Sequence, residues 1–301
     1  MSNTLHAQIV DYIYPYYDQP SYSNYGTAGL IQMPSARMHK AGNIGFTWSH
    51  ADPYLRGSIM GNPFDWFEAS YQYTDVNNKL YSDSSAFSGS QSYKDKSFDA
   101  KFRVYQETKY IPQIAIGFRD FGGSSLFSSE FIVASKLVSN IDFTLGIGFG
   151  TISNKNIRNP LIKLDSRFST RDRNIQGDTQ GGEINYGTFF GGERAGIFGG
   201  VEIFLPKLKG ARLKIEYDST NYGEDGEGYL PVIQDKKINY SFLFPLTKSF
   251  HVKLGYIRNN TLNFGFSVAG LYGKKSPYIQ KRDAPKKVPN SIILQTVVNA
   301  T

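Results

Sequence analysis

After Gly42 the chain alternates apolar and polar side chains with a period of two. Ile44, Phe46 and Trp48 are interleaved with Gly45, Thr47 and Ser49, and Phe98, Ala100, Phe102 and Val104 with Asp99, Lys101, Arg103 and Tyr105. The pattern recurs at Ile114 to Arg119, Glu130 to Leu137, Ile141 to Phe149, Ile197 to Leu205, Ala211 to Asp218, Lys237 to Phe244, Phe250 to Tyr256 and Leu262 to Val268, and less regularly around Asp65 to Thr74. A period of two places successive side chains on opposite faces of a strand. With Ile292 to Val298 as a further segment, the pattern predicts about twelve strands of about 8 to 11 residues, the length a tilted membrane strand needs.

The two faces differ in kind. One is Phe, Ile, Leu, Val and Tyr nearly throughout, and Phe131, Val133 and Leu137 are assigned to it; the other carries full charges of both signs. A small soluble barrel buries its apolar face, whereas charged faces need water or paired charges. In lipid the backbone is satisfied only by helices or closed barrels. No run of about 18 apolar residues supplies a helix. The predicted fold is therefore all-β, a transmembrane antiparallel β-barrel of about twelve strands with an apolar outside.

The links support this. Val138 to Asn140, Pro206 to Gly210, Leu246 to Ser249 and Arg258 to Asn260 are short, while Asp75 to Ser97, Thr151 to Arg194 and Asn221 to Asp235 are long. Short periplasmic turns and long external loops are the asymmetry of outer-membrane barrels. By alternation the lumen receives Asp99, Lys101, Arg103, Tyr105, Arg119, Glu202, Arg212, Lys214, Glu216, Asp218, His251 and Lys253, an assignment that a bulge would locally reverse. Trp48, Trp66, Phe98, Tyr110, Tyr256 and other aromatics fall near strand ends, as in an interfacial girdle.

The chain divides into 1–42, an extension with a short plug segment from Gly26 to Met38; 43–273, the barrel; and 274–301, a Lys- and Pro-rich linker leading to a last strand or a further domain. Met1 to Val10 lacks the basic start and apolar stretch of a complete signal peptide, so the start is expected to be truncated.

Composition narrows the chemistry. The 301 residues include 21 Tyr, 22 Phe, 30 Gly and no Cys, which excludes disulfides, thiolate metal sites and cysteine nucleophiles. The four His do not fall at metal-ligand spacing, and the net charge of +7 has no clustered basic face beyond Lys281-Arg282 and Lys286-Lys287. No cofactor, metal or nucleic-acid partner is expected. Gly122-Gly123-Ser124 and Gly191-Gly192-Glu193 read as turns. No nucleophile and base can be placed together, so the chain is read as not an enzyme.

Gly26-Thr27-Ala28-Gly29-Leu30-Ile31-Gln32-Met33-Pro34-Ser35-Ala36-Arg37-Met38, then Gly42-Asn43-Ile44-Gly45-Phe46, Ser49-His50-Ala51-Asp52-Pro53-Tyr54, Asn62-Pro63-Phe64-Asp65-Trp66-Phe67-Glu68-Ala69 and Arg119-Asp120-Phe121-Gly122-Gly123 resemble the YjbH family, outer-membrane proteins of exopolysaccharide and capsule operons. The likeness spans roughly residues 26 to 270 and reads as the family's N-terminal part, without a signal peptide or a long C-terminal half. It implies a barrel in the outer membrane of a Gram-negative bacterium that takes part in producing or exporting an extracellular polysaccharide, with no catalytic residues to carry over. The partners it implies are outer-membrane lipid, a polysaccharide, and periplasmic or outer-membrane export proteins of the same operon. The basic lumen residues suit an anionic polymer track. The alternatives are a general porin or surface adhesion barrel, and a barrel hydrolase.

Overall fold

A computed structural model describes residues 19–171, 189–222 and 232–272. Its strands are β1 (Asn43–Ala51), β2 (Tyr54–Phe64), β3 (Phe67–Leu80), β4 (Ser92–Tyr105), β5 (Gln113–Arg119), β6 (Ser129–Val138), β7 (Ile141–Gly150), the two-residue β8 (Ile157–Arg158), β9 (Arg194–Leu205), β10 (Ala211–Tyr217), β11 (Ile238–Pro245), β12 (Phe250–Ile257) and β13 (Thr261–Leu271). Sequence neighbours pair antiparallel, β9 pairs with both β7 and β10, and β13 returns to β1. Among the described residues, twelve strands, all but β8, thus close into a ring. Closure satisfies each strand on both edges, which an open sheet in lipid cannot do. None of the described helices is long and apolar enough to cross a membrane.

Register fixes the faces. Thr47 of β1 lies between Ser58 of β2 and Ser267 of β13, all three buried on the lumen side. The outward positions are large and apolar: Leu145 is 65%, Leu254 62% and Leu262 69% exposed. A ring of such side chains is matched to hydrocarbon, and a slip of one residue would present the lumen charges to it. The protein is an outer-membrane β-barrel. The links at 65–66, 106–112, 139–140, 206–210 and 246–249 lie at one end, together with Asn43 and Leu271. The longer loops gather at the other, the extracellular end by the asymmetry of such barrels.

Several sequence expectations are corrected. β2 escapes the alternation reading because Gly57 and Gly61 occupy two of its outward positions and Tyr54 and Met60 face inward. The twelfth strand of the ring among the described residues is therefore β2. Ile292 to Val298, with the rest of the tail at 274–301 and residues 1–18, lies outside them. The link expected over Asp75 to Ser97 is largely strand, since β3 and β4 each run 14 residues and leave only 81–91 as a loop. The short Arg258 to Asn260 turn sits at the long-loop end.

Two faces also differ. In β6 the parity is reversed: Phe131 and Val133 are buried in the lumen, while Ile132 and Ala134 face outward. Tyr105 does not face the lumen. The β4–β5 register shifts between Arg103 and Tyr105, leaving Tyr105 opposite outward Ile114 and 40% exposed. The extra residue at Val104 is the bulge that turns it.

Residues 19–42 fill the lumen. Leu30, Met33 and Ala36 pack against Ala115, Phe131, Val133 and Phe198 of the wall. Tyr25 joins Tyr54, Val76, Leu126, Phe127 and Tyr222 nearer the long-loop end. The segment forms no regular strand or helix but folds on itself through two isolated bridges, Tyr22 with Ala28 and Gly29 with Pro34, and bonds such as Asn24 N–H to Ile31 O at 2.8 Å. Its bend depends on Gly26, whose φ is +79° and whose Cβ would lie 2.3 Å from Ser58 Cβ. A twelve-stranded ring encloses more space than the roughly eight strands whose own side chains fill a barrel, and this segment occupies the difference.

Candidate functional site: a lumen filled by the N-terminal segment

The segment's internal backbone bonds, among them Ser23 N–H to Thr27 O and Asn24 N–H to Ile31 O, leave other backbone groups to be satisfied by the wall. The wall charges take them. Lys101 of β4 donates to Ala28 O at 3.0 Å and to Glu68 Oε1 at 2.9 Å, while Glu68 accepts the Ala28 N–H at 3.0 Å. Lys214 of β10 donates to the carbonyls of Gly29 and Leu30 at 2.8 and 2.7 Å. Arg119 of β5 reaches Gln32 O at 2.8 Å, Lys253 of β12 reaches Ser23 O at 3.1 Å, and Arg212 of β10 reaches Gln19 O at 2.9 Å. Glu216 of β10 accepts the consecutive N–H groups of Ile31, Gln32 and Met33. Hydrogen bonds to a charged group each contribute roughly 1.5–3 kcal/mol.

The other predicted lumen residues fall into place around this frame. Glu202 takes the Ser21 hydroxyl at 2.6 Å and Arg212 Nη1 at 3.1 Å. Asp218 accepts the Tyr222 hydroxyl at 2.8 Å and Asn239 Nδ2 at 3.0 Å. Asp99 accepts the Asp120 N–H at 2.9 Å. His251 is buried on β12, its backbone between Pro245 and Ser267. Arg103 is half-buried near the short-turn end, and Tyr105 lies outside as described.

Sequence reasoning missed the partners of these charges and several further ones. Arg56 lay hidden in β2; its guanidinium sits 4.4 Å from the Tyr25 ring and 4.3 Å from that of Tyr54. Glu68 also meets His39, whose ring stacks on Tyr22 at 4.3 Å. At the foot of the segment Arg37 holds Asp142 at 2.6 Å and also pairs with Glu107. Burial on its own would raise the Glu107 carboxyl, but Arg37, with Lys136, outweighs it and holds the group below its ordinary value. Alternation could flag Glu68, as the polar neighbour of Phe67; no local signal places the segment's carbonyls.

Among the described residues, no group of three or more His, Cys, Asp or Glu could hold a metal ion. A closed barrel, apolar outside and filled by a segment that its inner charges grip, defines a plugged outer-membrane β-barrel.

The chain belongs to the YjbH family: the family profile, described as exopolysaccharide biosynthesis protein YbjH, matches residues 21–297. It is 37% identical over 289 residues to the "Uncharacterized lipoprotein YjbH" of Escherichia coli (strain K12), covering 95% of this chain and 40% of that protein. The chain thus spans 40% of the length of this curated relative. Among solved structures it is similar to the KdgM porin, with TM-score 0.40, 9% identity, and coverage of 77% of this chain and 99% of that one. Outer membrane phospholipase A from Escherichia coli gives TM-score 0.33, 8% identity and coverage of 78% and 91%.

Proposed function

We infer that the protein takes part in the production or export of an extracellular polysaccharide, as a non-catalytic barrel whose lumen is closed by its own plug. The observation that supports the polysaccharide part is the family description, which extends over nearly all of the chain. The grip of Lys101, Arg119, Lys214 and Lys253 on plug carbonyls shapes how it would work. A polyanion using those cations as a track has to displace the plug from them. In the resting protein they hold the plug, and the wall acidic groups balance them.

A general porin or surface barrel without a polymer role is the second reading. It needs nothing beyond the closed ring and its lipid-facing belt, both of which are present. Deleting the full-length gene and restoring it separates the two. Lower cell-surface polysaccharide on deletion, recovered on restoration, is the expected result. Unchanged polysaccharide output in the deleted strain would overturn the first reading and leave the second.

A further inference from the structure

Glu130 of β6 is a carboxylate on the outward side of the wall. Register places it opposite Phe118 of β5 and Phe149 of β7, in line with the outward Ile132 and Ala134. A bare charge on that face would meet lipid. Glu130 and Phe149 are both buried nonetheless, because the link between β7 and β9 covers them from outside. Arg171 holds both Glu130 oxygens, at 2.6 and 3.0 Å, and the Phe190 N–H donates to the first of them at 2.9 Å. The Phe189 and Phe190 rings lie 5.0 and 5.6 Å from that of Phe118, and Phe190 lies 5.4 Å from Phe149. The buried Asn159 amide donates to the carbonyls of Phe168, Phe190 and Gly192, gathering residues 157–171 and 189–193 into one flap on the outer wall.

The flap stands at the height of lipid. Ile141, Phe143, Leu145, Ile147 and Phe149 are the outward residues of β7. Their run is about 27 Å along the strand and about 20 Å along the membrane normal at the usual tilt. The apolar band of such a barrel is about 25 Å tall, so the flap covers its upper edge. With one side against the wall, its other side faces the outer leaflet.

Leu164 is 79% exposed on this flap and directly follows the exposed Lys163. Arg158 is exposed as well, and Lys155 and Arg194 are exposed at the flap's edges. Asp165 pairs with Arg167 at 3.0 Å and Arg171 is taken by Glu130, which leaves Arg158 and Lys163 against Glu193 as the flap's remaining described charges. A neutral lipid gives these cations no partner, and a soluble anion gives the leucine none. An anionic headgroup with acyl chains below it suits both. We propose that the flap docks on the outer leaflet and binds a phosphate-bearing lipid headgroup through Arg158 and Lys163, with Leu164 among the first methylenes of the acyl chains.

The test is retention of lipid A, a bis-phosphorylated acylated disaccharide, by the full chain in phosphatidylcholine nanodiscs. Native mass spectrometry counts it against the same lipid stripped of its phosphates. The parent should keep the phosphorylated form and lose the other. Arg158→Glu with Lys163→Glu should lower retention by about tenfold, while heat-modifiable migration stays unchanged because both side chains are exposed. Lys248→Glu, in a turn at the opposite end of the barrel, should retain lipid A as the parent does. The chain has no cysteine, so Leu164→Cys carries a single fluorophore, which brominated acyl chains should quench. Equal retention of the two lipids, an unaffected double variant, an unquenched label, or displacement of lipid A by an equal amount of soluble oligoglucuronate would each overturn the docking surface.

Discussion

The Glu216 carboxylate lies 2.7 Å from the backbone nitrogen of Ile31, and the same oxygen accepts Gln32 and Met33 at 2.9 and 2.8 Å. One wall side chain therefore satisfies three consecutive plug N–H groups, for which no other acceptor is seen among the described residues. Asn239 of β11 donates to its other oxygen at 3.0 Å and holds it in place. Glu216→Ala leaves those groups buried without an acceptor, at a cost on the order of 3 kcal/mol. Glu216→Gln retains one acceptor oxygen and loses less. The denaturation midpoint, followed by heat-modifiable migration in increasing urea, orders them as parent, Gln, Ala. Equal midpoints would mean that the plug is not held here.

Arg37 ties the foot of the plug to Glu107 in the β4–β5 turn and to Asp142 of β7. Because the Glu107 carboxyl is held below its ordinary value in the fold, its stabilisation is present above the unfolded carboxyl pKa of about 4.3 and is lost as pH falls through the lower folded value. Arg37→Ala should lower stability by on the order of 2 kcal/mol at neutral pH. The gap to the parent should close in strongly acidic buffer. A difference that stays constant from pH 7 to about pH 3 would assign the effect to packing instead.

Gly146 of β7 faces the lumen opposite Phe198 of β9, and a Cβ on it would lie 2.3 Å from the Phe198 ring. The ring is fully buried against the plug cluster and has no free direction to retreat. Gly146→Ala should destabilise by about 1–3 kcal/mol. Phe198→Leu, costly in the parent, should cost less in the Gly146→Ala background, and a double-mutant cycle reads that coupling. Additive effects would show that the ring moves aside freely.

How much of this was legible in the sequence depends on what each strand faces. β1, β5, β7, β12 and β13 have lipid outside and polar or small groups inside, so their alternation is plain: Ile44, Phe46 and Trp48 on one face, Gly45, Thr47 and Ser49 on the other. The reading fails where the lumen is apolar. Phe131 and Val133 point inward because Leu30, Met33 and Ala36 wait there, a contact between positions about a hundred residues apart in sequence. Tyr105 was misplaced by one bulged residue and β2 hidden by its glycines, both local irregularities that a period of two cannot register. Alternation names charged positions but not their partners: Lys214 and Lys253 donate to plug carbonyls, and backbone acceptors leave no trace in side-chain identity.

Residues 19–42 fill the bore of the barrel, packed against Ala115, Phe131, Val133 and Phe198. The most direct measurement is current through single copies of the intact chain in a planar lipid bilayer. A lumen filled by residues 19–42 and gripped by Lys101, Arg119, Lys214, Glu216 and Lys253 predicts a closed baseline with no sustained conducting level. A steady ohmic conductance from the folded, intact chain would contradict it.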